Sequence, residues 1–204
     1  MKIVCVGRNY AAHIEELANQ RPESPVLFIK PDSAVLPKEQ DFYIPEFTKD
    51  VHHEVELLLR INKVGKHIAP QFAHTYYDQL SVGIDFTARD LQSQLKEKGL
   101  PWEKAKGFDG SAVIGDWLPK ERFKDLDHLT FSLEKNGETV QQGDTRHMLW
   151  QIDELVAYIS TFFTLKKGDI LFTGTPAGVG RIAPNDYLVG KLESETLFSL
   201  KVKG

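Results

Sequence analysis

Residues 52–61 read HHEVELLLRI. The leucine-rich second half has the composition of a buried strand, yet Glu54 and Glu56 stand at its start behind two histidines. In a strand, residues two apart share a face and lie about 6–7 Å apart, so the two carboxylates point the same way. Charges alternating with Val55 and Leu57 are ordinary on the solvated face of a half-buried strand. Here Leu58 continues the same face as an apolar residue, and a third carboxylate, Asp85, closes the apolar run in VGIDFTARD. Taken alone, Asp85 would also suit a helix N-cap. Carboxylates gathered at strand ends raise one another's pKa unless a divalent cation sits among them. Three oxygen donors without a soft ligand select a hard ion: magnesium, manganese or calcium. His52 shares the face of the two glutamates and keeps zinc or iron as a lesser reading, although a histidine beside a buried acid is more often its hydrogen-bond partner.

Around this stretch the pattern is mixed. KIVCVG and PVLFIKP read as short strands, separated by YAAHIEELANQ, where Ala12, Glu15, Glu16 and Leu17 suit a short helix that Pro22 and Pro25 end. ARDLQSQLKEKG reads as a helix stopped by Gly99, with Pro101 beyond. In LTFSLEKNGETVQQG the pair Asn136-Gly137 between alternating segments marks a hairpin. Between Met148 and Phe163, Ile152, Leu155, Val156, Ile159 and Phe162 recur at helical spacing and predict a core-facing helix, with Lys166, Lys167 and Gly168 after it. DILFTG and ETLFSLKVK add strands, so the order is neither regular βαβ alternation nor pure β.

The chain of 204 residues suits one well-packed domain. A net charge of −4 without a basic run argues against a general nucleic-acid binder. The one cysteine, Cys5, lies in an apolar run, so no internal disulfide forms and a reduced compartment fits. No signal peptide or membrane-length apolar run stands out, which predicts a soluble, cytoplasmic protein without a membrane partner.

Six segments, VGRNYAAHIEEL, PVLFIKP, HHEVELLLRI, GIDFTARDLQ, KGFDGSAVIGDW and DILFTGTPAGVG, resemble in this order the fumarylacetoacetate hydrolase superfamily, especially its small acylpyruvase and oxaloacetate decarboxylase branch. ExE alone is a weak signal and TGTPAGVG a moderate one; six segments in fixed order over nearly the whole chain are specific. The resemblance implies an α+β fold, a mixed β-roll of the fumarylacetoacetate hydrolase C-terminal domain type with a few short helices. It further implies one catalytic domain over residues 1–204, with a mobile lid at 10–24. Glu54, Glu56 and Asp85 are expected to hold Mg2+ or Mn2+, with Ca2+ as a substitute, and the assembly is expected to be a homodimer.

Other site residues follow the same carry-over. His13 and Glu16 match the family's catalytic pair; three apart on a helix they share a face, so the carboxylate can orient the imidazole. Read alone, HxxE is a common exposed helix pair. Lys106 matches a family lysine that faces the substrate, where fixed positive charge would stabilise a developing enolate. Arg8, Arg89, Gln92 and Thr175 match substrate contacts; read alone, Arg89 and Gln92 are ordinary helix-surface residues. TGTPAGVG, whose plain reading is a tight turn, lacks the lysine of a phosphate-binding P-loop.

The expected function is a divalent-metal-dependent hydrolase or lyase. It would act on a C–C bond of small 2-oxo acids through a metal-bound enolate, by acylpyruvate hydrolysis, oxaloacetate decarboxylation or both. The alternative is an isomerase or tautomerase of oxaloacetate or of 2-hydroxy-dienedioate intermediates. Outside enzymes, a metal or small-ligand-binding module would need the carboxylates but have little use for His13, Glu16 and Lys106, and an interaction protein would leave all of them as surface charge.

Overall fold

Alternate residues of the two most apolar strands go to opposite faces of one sheet, and both faces are covered. Val4, Val6, Leu57 and Leu59 join the principal core, while Ile3, Cys5 and Leu58 pack with Phe172 and Ala112 on the other side. This explains why the strand at 55–61 reads as continuously apolar. Burying each such leucine contributes about 1.5–3 kcal/mol. Glu56, two residues before Leu58, lies on the smaller face, which carries the site.

The computed structural model describes residues 1–16 and 21–204. In chain order the elements begin with β1 (Ile3–Gly7), α1 (Ala11–Glu16), β2 (Val26–Lys30), β3 (Phe42–Tyr43), β4 (Val51–His53) and β5 (Val55–Ile61). Next come α2 (Pro70–Ala73), β6 (Tyr77–Asp85), β7 (Thr87–Ala88), α3 (Arg89–Glu97), α4 (Glu103–Lys106), β8 (Ala112–Ile114) and β9 (Leu118–Pro119). The last are β10 (Thr130–Lys135), β11 (Glu138–Asp144), α5 (Ile152–Phe162), β12 (Ile170–Phe172), β13 (Gly180–Arg181), β14 (Tyr187–Leu192) and β15 (Glu195–Lys203).

Among the described residues the strands form three sheets. The central one runs β2-β1-β12-β5-β6-β8, with β9 also on β6. β1 and β12 are parallel; β5 is antiparallel to both its neighbours, with Glu56 facing Gly83 across the β5–β6 pair. A second sheet runs β11-β10-β14-β15-β3, and a small third one β13-β4-β7. The expected mixture of strands and short helices is what the chain forms.

Local expectations hold with two adjustments. Asn136 and Gly137 both take positive φ, at +56° and +86°, in the β10–β11 turn. Gly99, at φ +61°, closes α3, with Leu100 N–H donating back to Leu95 C=O, the pairing of a glycine-terminated helix end. The core-facing helix begins at Ile152, capped by Gln151 and Glu154, because Gln151 is extended; before it, Leu149 and Trp150 donate their N–H groups to Asn9. Phe162, expected in its apolar stripe, turns outward and is exposed. The helix expected in YAAHIEELANQ is seen as α1; Leu17 and the rest of residues 17–20, part of the expected lid, lie outside the described residues.

Candidate metal centre and active site

Three strand ends bring the carboxylates together. Glu54 occupies the break between β4 and β5, Glu56 is the second residue of β5, and Asp85 ends β6, with its N–H donating to Glu54 C=O at 2.9 Å. All three are buried, and one carboxylate oxygen from each lies within 4.8 Å of the others. His52 is not part of this group: the chain breaks its strand at Glu54, and His52 Nε2 lies 3.1 Å from Asp50 instead. The lesser reading of a histidine-ligated zinc or iron therefore has no geometric support.

Lys106 bridges two of the carboxylates, and beyond it each has its own partner. Glu54 accepts from the Arg89 guanidinium and, at 2.7 Å, from Lys106 Nζ. Burial works against its charge, but Lys106, Arg89 and His13 outweigh it and hold Glu54 well below the usual carboxylate range. Asp85 Oδ2 accepts from Lys106 at 2.6 Å, while Lys30 Nζ lies 2.7 Å from Oδ1 without being directed along a hydrogen bond, so that buried oxygen keeps an unused lone pair. Glu56 is pushed upward, by burial first and then by Asp85 and Glu54, and accepts from Gly174 N–H at 2.6 Å. Gly174 sits at φ +104°, and a Cβ there would meet Asn9 Cβ at 2.7 Å, so glycine is required for this approach.

A centre that leaves one acid resisting ionisation and one buried oxygen undirected, with only oxygen donors, fits a hard divalent cation. Lys106, at the end of α4, contributes positive charge of its own. Burial lowers its proton affinity, but Asp85 and Glu54 more than compensate, and it remains charged, also donating to Thr87 Oγ1 at 2.6 Å and lying over Phe28.

The remaining residues close a cavity of about 50 Å³, lined by Arg8, His13, Glu54, Glu56, Asp85, Arg89, Gln92, Lys96, Lys106 and Thr175 among others. His13 Nδ1 is 3.2 Å from Glu16 Oε2, and Glu16 Oε1 accepts from Gly178 N–H at 2.9 Å. Every residue expected in the site lines this cavity except Glu16, which is joined to it through His13.

Three further residues escape a reading by motif. Lys30 is fully buried behind Asp85 and donates to Lys106 C=O and Ser111 Oγ. Gln141 accepts from Val55 N–H and pairs with His53 Nδ1, and its amide donates to Thr175 Oγ1 and Pro176 C=O, linking the start of β5 to the TGTPAGVG loop. Asn9 anchors the chain between β1 and α1 to Trp150 and Thr173. A lysine ending an apolar strand, in VLFIKP, was the one available signal; Gln141 and Asn9 carry none.

Residues 2–198 match the fumarylacetoacetate (FAA) hydrolase C-terminal family. The chain is 43% identical over 197 residues to oxaloacetate tautomerase YcgM of Escherichia coli (strain K12), across 96% of this chain and 90% of that protein. It is 39% identical over 201 residues to the mitochondrial oxaloacetate tautomerase FAHD1 of Bos taurus, across 98% and 91%. Among solved structures, the fumarylpyruvate hydrolase from Pseudomonas aeruginosa in complex with Mn2+ and pyruvate superposes with a TM-score of 0.93 at 38% identity, over 100% of this chain and 89% of that one. The chain belongs to the fumarylacetoacetate hydrolase C-terminal family and has its fold.

Proposed function

We propose that the protein is a divalent-metal-dependent enzyme acting at C3 of small 2-oxo acids. Keto–enol tautomerisation of oxaloacetate is the first reading, and hydrolytic cleavage of the C3–C4 bond of acylpyruvates the second. The observation that carries it is one cavity lined by three clustered carboxylates, the charged Lys106 and His13, whose Nδ1 is joined to Glu16 behind it. Relatives named as oxaloacetate tautomerases support the first reading, and the Mn2+ and pyruvate complex of a fumarylpyruvate hydrolase supports the second.

Mg2+ or Mn2+ held by Glu54, Glu56 and Asp85 would supply Lewis-acid charge that favours an enolate. Glu16 accepts at Nδ1 of His13, which keeps the proton there and leaves Nε2 as the base. In tautomerisation His13 takes a proton from C3, and the same electrons become the enol double bond as the 2-oxo oxygen gains a proton. In hydrolysis His13 takes a proton from water as its oxygen attacks C4; the C3–C4 pair passes to the pyruvate enolate, which is then protonated at C3. Lys106 fixes positive charge beside the negative charge that develops in both. Arg89 and Gln92, joined at 2.7 Å, and Thr175 orient the substrate.

A panel of oxaloacetate and acylpyruvates, assayed with and without Mg2+ and Mn2+ for enol absorbance, pyruvate and carbon dioxide, tests the reading. Metal-dependent turnover is expected; full activity of stripped protein in chelator would refute it. We further read residues 1–204 as one catalytic domain, with the cavity lined by residues of one chain, working as a cytoplasmic homodimer. A purely monomeric, fully active protein in sedimentation would contradict the dimer.

A further inference from the structure

The TGTPAGVG loop carries two buried threonines whose hydroxyls are used in opposite ways. Thr173 donates to Leu57 C=O at 2.9 Å, so its proton is spent on the backbone. Thr175 lines the cavity and only accepts: Gln141 Nε2 donates to its Oγ1 at 2.9 Å. Among the described residues the Thr175 hydroxyl proton has no acceptor. A hydroxyl has one proton to give, and this one is left for the cavity.

Gln141 fixes that polarity because its buried amide cannot be turned over. Val55 N–H, which can only donate, meets Oε1 at 3.0 Å, and Pro176 C=O, which can only accept, meets Nε2 at 3.0 Å. A half-turn of the amide would set donor against donor and acceptor against acceptor, away from water. His53 Nδ1, 2.8 Å from the same Oε1, therefore carries its proton on that nitrogen. Both lone pairs and both protons of the amide are in use, and Thr175 Oγ1 faces a donor. Accepting that bond also makes the hydroxyl a stronger donor, since hydrogen bonds in a chain polarise one another. The loop itself is held separately. Gly178, at φ +96°, lies so close to Val140 C=O that a Cβ would come within 2.4 Å of it, and its N–H reaches Glu16. Loop position and hydroxyl direction are thus distinguishable contributions.

We infer that Gln141 is a positioning residue that fixes the Thr175 hydroxyl as a hydrogen-bond donor, so that Thr175 takes an acceptor oxygen of the substrate, carboxylate or carbonyl. The inference rests on the 2-oxo acid reading above and adds the side chain that sets the polarity of one contact. Steady-state rates of the metal-loaded enzyme on oxaloacetate and acetylpyruvate test it, with Thr175→Val, Gln141→Glu, the double variant and Thr175→Ser. Glutamate keeps an acceptor for Val55 and His53. Charged or protonated, it has no second proton for Thr175, whose hydroxyl then turns back to donate into it. A hydrogen bond of typical strength to an anionic oxygen predicts that Thr175→Val and Gln141→Glu each raise KM about tenfold or more, with kcat little changed. The double variant should be no worse than Thr175→Val alone, and Thr175→Ser should stay near the wild type. Were Gln141 only a support for the loop, kcat would fall through Gly178 and Glu16, and the losses would multiply; either result overturns the inference, as does a wild-type KM in folded Gln141→Glu. Circular dichroism checks folding. Should Gln141→Glu fail to fold, Thr175→Val, which leaves three of the Gln141 bonds intact, decides alone, and an unchanged KM overturns the inference. Wild-type enzyme inert toward both compounds would instead bring down the 2-oxo acid reading, and this inference with it.

Discussion

The floor of the cavity and its rim are built on opposite plans. On the floor, Glu54, Glu56 and Asp85 sit at the ends of central strands, and Lys30, Lys106 and Arg89 are already paired with them. Asp85 and Lys30 have no exposed surface. At the rim, His13 and Glu16 ride on the six-residue α1, tied down by one backbone N–H from Gly178, and Arg8 and Lys96 reach in from partly exposed positions. Opposite charges on the floor are paired with one another across strand ends, whereas the role proposed for the rim is toward the substrate. Changes to the floor should therefore cost folding and function together, and changes to the rim function alone.

The largest effect tests the floor directly. Removing metal, or replacing Glu56 by alanine, should abolish measurable turnover. Mn2+ should raise the melting temperature of the wild type but much less that of the variant, since only a site that binds the ion is stabilised by it. Equal stabilisation of both proteins would mean that the ion binds elsewhere.

Next comes the rim. His13→Ala should slow acylpyruvate cleavage by about 10²–10⁴, the usual contribution of general acid–base catalysis. Its urea midpoint should stay close to that of the wild type. Oxaloacetate decarboxylation, which needs no activated water, should fall less. Equal losses on both substrates would shift the role of His13 to moving the proton at C3, strengthening the tautomerase reading; a collapsed urea midpoint would break the contrast between rim and floor.

Lys30→Met should do the reverse. It leaves Asp85 buried beside one cation fewer, and removing one partner of a buried pair costs about 3–5 kcal/mol. Urea unfolding measures the loss, and Mn2+ should restore part of it by replacing the missing positive charge. An unchanged midpoint would show that Lys30 is dispensable packing.

The contrast also explains what could be read from the chain. Glu54, Glu56 and Asp85 were legible because an acid beside an apolar strand violates the local pattern, and violations of pattern mark sites. His13, Glu16 and Lys106 carried no such signal; only the order of six motifs pointed to them. Lys30 was hidden because a lysine at a strand end is normally solvated, and its burial depends on β2 pairing with β1 beneath Asp85. Gln141 was hidden for a similar reason: it sits in a polar-looking hairpin, and its four partners come from β4, β5 and the TGTPAGVG loop, far away in sequence. Regular elements fared better, since Asn136-Gly137 and Gly99 act through local backbone geometry. α5 starts later than the apolar spacing from Met148 suggests, since Gln151 is extended and the segment before it is bonded to Asn9, some 140 residues away.

The smallest effect lies behind the rim. Asp144 begins the turn Thr145–His147 that leads into Met148–Trp150, the segment bonded to Asn9 and Tyr10 at the root of α1. Its side chain accepts from Arg146, which with the Arg146 backbone N–H holds the Asp144 carboxyl at about 2, below its ordinary value. A carboxylate with a depressed folded pKa contributes stability that is fully present above its unfolded pKa near 3.8 and disappears as pH falls through about 2. Asp144→Asn keeps a good cap for the turn but loses the charge. The melting temperature of the variant should therefore be slightly below that of the wild type at pH 7, and the gap should close between pH 4 and pH 2. Because Arg146 is exposed, added salt should narrow the gap at pH 7, whereas the loss caused by Lys30→Met, inside the floor, should be nearly insensitive to salt. A gap that ignores both pH and salt would mean that Asp144 acts through shape alone, and the electrostatic difference between the two regions would then not extend to the support of the rim.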